Sequence, residues 1–198
     1  MANTTFNGPV RSENGFRTIS KAAGTGAETV LWTSPAQLAT GAATGITTGT
    51  GTVYKTGIAR SGNIITTSIM IDLTGLRSTA SGDIIGVDGT SLACHIGQIT
   101  AAESGTIIAG RITCFEAPTG GDPDIDLYSA VEATGTEDTA ISTLDETQLV
   151  DSGDHTLGSE KILTAFPADE EYLYLVAGAT TDADYTAGKL LIELIGTV

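Results

Sequence analysis

Apolar residues along this chain fall into short runs and alternations of strand length. Ile65, Thr67, Ile69, Ile71 and Leu73 alternate with Thr66, Ser68 and Asp72, which predicts a half-buried strand. Ile125, Leu127 and Val131 alternate with Asp124, Asp126 and Glu132 in the same way. The runs 92–100 and 106–115 flank Ala101-Ala102-Glu103-Ser104-Gly105. A three-residue loop with Gly105 in the left-handed position predicts a tight hairpin there, with Ile96 opposite Ile112 and Cys94 opposite Cys114. Near the end, Tyr172-Leu173-Tyr174-Leu175-Val176-Ala177 and Leu190-Leu191-Ile192-Glu193-Leu194-Ile195 flank the polar segment 180–184. They predict a second antiparallel pair, set deep in a sandwich because aliphatics occupy both faces. Glu193 marks the face that reaches water or a partner. With weaker strands near 147–150 and 161–165, seven or eight strands predict an all-β fold, an antiparallel β-sandwich or jelly roll.

Residues 1–62 are patterned differently. Asn7-Gly8-Pro9 and Glu13-Asn14-Gly15 are turn signals among few aliphatics. Ser34-Pro35-Ala36-Gln37-Leu38 has a cap and a first-position proline for one helical turn. Residues 40–52 are nearly pure Gly, Ala and Thr, a segment flexible on its own yet without the charges of a free disordered tail. The expectation is an extended N-terminal arm over 1–62, ordered by its neighbours, and a β-sandwich body over 63–198. Composition agrees: 19 Ile, 15 Leu and 8 Val against ten aromatics, with 25 Gly and 33 Thr, favour strands and turns over long helices.

Charge sharpens that division. The net charge is −15, yet residues 1–60 carry Arg11, Arg17, Lys21, Lys55 and Arg60 against Glu13 and Glu28, so the acidity belongs to the rest. An acidic body repels nucleic acid and anionic membrane, and neither is expected as a partner. The basic leading segment suits an acidic protein surface, or is an imbalance held in solvent. No apolar leader or span of membrane length is visible, which points to synthesis in a cytoplasm. The two cysteines do not make a disulfide framework.

Candidate chemistry is sparse. Cys94-His95 has the residue types of a nucleophile and base, but neighbours on a strand point to opposite faces, and a buried small hydrophobe suits both cysteines better. Asp122, Asp124 and Asp126 have the spacing of calcium ligands, but an EF-hand loop needs Gly and Glu where Leu127 and Ala133 stand. A solvated strand face is the plainer reading. Ser152-Gly153-Asp154-His155 supplies triad residue types without a nucleophile elbow and reads as a turn. Gly188-Lys189 lacks the Ser/Thr of a phosphate loop, Leu190 following instead. No catalytic, metal or cofactor site is expected.

Three stretches carry a resemblance. Phe6-Asn7-Gly8-Pro9-Val10-Arg11-Ser12-Glu13-Asn14-Gly15-Phe16 resembles the opening of small virion proteins from tailed phages of cyanobacteria and other aquatic bacteria. Gly121-Asp122-Pro123-Asp124-Ile125-Asp126-Leu127-Tyr128 and Ala187-Gly188-Lys189-Leu190-Leu191-Ile192-Glu193-Leu194 are similar to later stretches of the same group. The resemblance implies a capsid cement (decoration) protein: not an enzyme, usually a homotrimer, seated on the outer surface of the icosahedral head against the major capsid protein. It would bridge capsomers, with Phe6, Pro9, Arg11, Phe16, Arg17, Lys21 and Trp32 in the capsid-binding arm. Two other classes are a tail or host-recognition protein, which needs an aromatic or polar glycan groove, and a carbohydrate-active enzyme, which needs paired carboxylates in a cleft.

Overall fold

The structure is a computed structural model that describes residues 17–89 and 91–198, with the backbone course alone given for 17–18 and 29–36. It is mostly β, with antiparallel pairing throughout the named strands. In chain order the elements begin with β1 (Arg17–Lys21), β2 (Glu28–Ala36), the single turn α1 (Thr44–Thr47), β3 (Val53–Ser61), β4 (Ile64–Asp72) and β5 (Arg77–Ser78). They continue with a second single turn, α2 (Ala101–Ser104), then β6 (Thr106–Thr119), β7 (Ile125–Ala130), β8 (Glu146–Val150) and β9 (Glu160–Ile162). The last are β10 (Tyr172–Ala177), β11 (Ala183–Asp184) and β12 (Ala187–Thr197). A seven-stranded sheet runs β1-β2-β3-β4-β12-β6-β9, a three-stranded sheet β10-β7-β8, and β11 pairs β5.

Alternation builds the large sheet. In β4, Ile65, Thr67, Ile69 and Ile71 are buried, as their spacing predicts. In β12, Leu190, Ile192 and Leu194 point the same way and are fully buried. One continuous apolar cluster joins these side chains to Leu127, Leu149, Leu173 and Leu175 of the small sheet. The other face of the large sheet is left to solvent by the same alternation.

The final two strands are not partners. β10 pairs β7 in the small sheet, whereas β12 lies between β4 and β6 in the large one. Aliphatics on both faces predict burial for each; β10 is buried from Leu173 to Ala177, whereas β12 buries only its Leu190, Ile192 and Leu194 face, and burial does not specify which strand lies alongside. The run 92–100 likewise does not pair β6. It lies beside β10, where Ile96 N–H donates to Leu173 O (2.8 Å) and Ile99 N–H to Glu171 O (2.9 Å). The turn α2 replaces the tight loop, and Gly105 keeps the predicted positive φ of 69°. A Cβ there would lie 2.6 Å from the Thr197 carbonyl oxygen, so glycine is required on both counts. With the register gone, Cys94 and Cys114 do not face each other as predicted; both are buried and free.

The segment before residue 63 is also different in detail. Ser34 and Pro35 lie in β2 rather than opening a helical turn, and the β2–β3 register slips between Thr33 and Ala36, where proline offers no N–H. The Gly-rich stretch is packed rather than loose. Gly45 N–H donates to Ala93 O (2.9 Å), and a Cβ on Gly45 would sit 2.5 Å from that oxygen, so only glycine permits the approach. Ile46 beside it is fully buried. The division at 62/63 falls in the two-residue turn between β3 and β4, which pair from Val53↔Asp72 to Ser61↔Ile64. β3 therefore belongs to the same sheet as the body.

Candidate functional site

The structure uses most of the chemically suggestive residues to hold loops. Cys94 is fully buried, its thiol lies 3.3 Å from Leu92 O, and burial pushes that thiol up to about 11. His95 packs against Tyr172 (ring centroids 4.8 Å apart), and burial lowers its pKa. The pair is therefore an uncharged thiol and an uncharged ring, each packed in the core, with neither poised to exchange a proton with the other. Gly188 and Lys189 lie inside β12, and Lys189 is held by Glu116 and, at 3.4 Å, by Asp72.

The aspartates at 122, 124 and 126 are not a solvated face. Asp122 is 1% exposed and spends both carboxylate oxygens on backbone, accepting from Asp124 N–H (3.0 Å) and Ala179 N–H (2.8 Å). Its carbonyl accepts the buried Tyr185 hydroxyl at 2.8 Å. Asp126, 6% exposed, accepts from Ser152 N–H (2.7 Å) and the Gln148 amide (3.2 Å). Burial, then the neighbouring acids, raises the pKa of Asp124; burial also raises that of Asp126. Among the described residues no group of three acids, histidines or cysteines is arranged to hold a metal ion. His155, 1% exposed, donates from Nε2 to Ile125 O (2.9 Å), which pins the 152–155 turn to the start of β7 and leaves no triad.

Sequence reasoning missed Glu137. It is 8% exposed and lines a cavity of about 450 Å³ with Arg77, Asp88, Asp138 and Asp182, and its Oε1 has no hydrogen-bond partner. Burial, with Asp138 and Asp88 nearby, raises its pKa to about 7. Arg77 is already engaged by Asp182 (2.7 Å) and Asp184 (3.0 Å). A glutamate in the run Thr136-Glu137-Asp138-Thr139 carries no sequence signal of burial.

The residues assigned to the arm divide in two. Phe6, Pro9, Arg11 and Phe16 lie outside the described residues. Arg17 stands in β1 opposite Thr33, and Trp32 stands in β2 opposite Ser61. Lys21 ends β1 and pairs with Glu28 at 2.9 Å, both side chains more than half exposed. The structure thus brings Arg17, Lys21 and Trp32 onto one hairpin. Its inner strand meets β3 at Trp32, Thr33 and Ala36, with Arg17 and Thr18 opposite Thr33 and Trp32, so residues 19–31 run past the end of β3. Residues 19–28 are all exposed, and β1 is an edge strand among the described residues. Such an edge presents backbone donors and acceptors to another chain.

No family model, no characterised protein and no solved structure matches this chain. No helix among the described residues is long and apolar enough to cross a membrane.

Proposed function

We propose that this chain is a structural protein of a viral shell, a capsid cement protein that docks on the outer surface of the head and ties neighbouring subunits of the major capsid protein. The observation that carries the reading is the β1–β2 hairpin. It extends past β3 with an exposed tip and, among the described residues, an unpaired edge, directly after the residues whose sequence resembles the opening of phage virion proteins. An edge of this kind adds a strand to a neighbouring sheet, where backbone pairing supplies attachment without a pocket. The body supports the same role. We read its large and small sheets as the two leaves of a β-sandwich, sharing the single apolar cluster and leaving an acidic exterior toward water. Copy number in purified particles tests the reading. Many copies, in the multiples an icosahedral lattice imposes, are expected; a few copies confined to one vertex would assign the chain to a tail instead.

A further inference from the structure

The outer face of the large sheet carries a pattern of its own. Directly opposed residues across five strands form rows on one face, and one such row reads Lys55, Met70, Leu191, Thr113, Glu160 from β3 to β9. The next row reads Gly57, Ser68, Glu193, Arg111, Ile162. Each row is asymmetric in a complementary way. A cation stands at one end of the first and an anion at the other; glycine stands at one end of the second and a large aliphatic at the other. Ile162 is 63% exposed, and a Cβ on Gly57 would meet nothing within 4 Å, so one end protrudes where the other is open.

We infer that this face is a two-fold contact with a second copy of this chain. A two-fold axis along β12 lays each row on its own copy in reverse. Lys55 then meets the second copy's Glu160, Ile162 meets its Gly57, and Leu191 meets Leu191. Glu193 meets itself, with Arg111 holding each carboxylate at 2.6 Å. Charge favours this occupant. The chain carries −15, so two copies repel by most approaches. On this face Lys55, Arg111 and Lys189 nearly balance Asp72, Glu116, Glu160 and Glu193, leaving one net negative charge. Size also suffices: four strands of about nine residues and the three residues of β9, at about 4.8 Å between strands and about 3.3 Å per residue, span roughly 600 Å², approaching the ~800 Å² per partner of a standard interface. A self-complementary face closes at two copies, whereas a trimer needs two different surfaces. The inference stands on the sheet geometry and does not rest on the shell reading.

Sedimentation equilibrium of the full chain at micromolar concentrations tests it. A mass twice 20.1 kDa is expected. Lys55→Glu and Glu160→Lys should each weaken association about tenfold, a change of about 1.4 kcal/mol. Combining the two should restore it, and Leu191→Glu should abolish it while thermal melting confirms a folded chain. A monomer at the highest concentration, a trimer, or a dimer indifferent to Leu191→Glu overturns the inference, as does a double variant no better than the single ones. A monomer that binds undecorated particles through Leu191 would assign the face to the shell instead and would also overturn it.

Discussion

The β1–β2 hairpin and the β4–β12–β6 centre of the same sheet use the same backbone pairing and differ in what lies beneath it. In the centre, Ile69, Ile112 and Ile192 are fully buried in the one continuous apolar cluster. At the hairpin, residues 19–28 are exposed and Ile19 is 40% accessible. Strand pairing exchanges water hydrogen bonds for internal ones at small net gain, and an isolated two-stranded hairpin is marginal. Burial therefore holds the centre, whereas over residues 19–28 the hairpin relies on pairing. The body carries its own buried core, whereas the exposed hairpin gains most from a partner.

The largest expected effect breaks the centre. Ile192→Ala should cost about 2–5 kcal/mol in urea unfolding through lost burial and a cavity, while Ile19→Ala should stay within about 0.5 kcal/mol. Equal costs would erase the contrast between the two regions. Asp122→Ala comes next. It strips two backbone N–H groups of their acceptor at the start of β7, and a loss of about 1–3 kcal/mol per group left buried is expected from the same unfolding curve.

Glu137 gives a pH signature confined to the body. Its folded pKa is raised from 4.5 to about 7, so the folded chain holds a proton that the unfolded chain releases. The stabilisation is full below pH 4.5 and is lost as pH rises through 7. His95 and His155 act oppositely: burial lowers both pKa values below 6.5, so their contribution is present above 6.5 and is lost as pH falls. Glu137→Gln should lessen the decline in melting temperature between pH 5 and 7, leaving the part owed to the raised Asp124 and Asp126 and the acid-side loss in place. An unchanged profile would show that the carboxyl is ionised in the fold. As small as the Ile19 effect, Lys21→Ala should change stability by no more than about 0.5 kcal/mol, because its pair with Glu28 is exposed.

What the sequence made legible follows from the same physics. Period-two alternation in β4 fixed both the strand and its buried face, since one slip would turn every isoleucine outward. The β10 and β12 runs were visible as strands, but their partners were not, because side chains apolar on both faces fit any interior position. Gly45 read as a flexible residue when its lack of a side chain is what allows docking on Ala93. Asp122 and Asp126 read as solvated because nothing local shows the distant backbone N–H groups of Ala179 and Ser152 that satisfy them.

The most direct test of the account is to mix full-length chain and a variant lacking residues 1–21 with undecorated particles and to measure the protein that co-sediments at low and high salt. The truncated chain should keep its body fold and fail to bind. Full-length chain should bind, with salt weakening but not abolishing attachment, because exposed ion pairs are screened while backbone pairing is not. Decoration by the truncated chain at the full-length level would contradict the account.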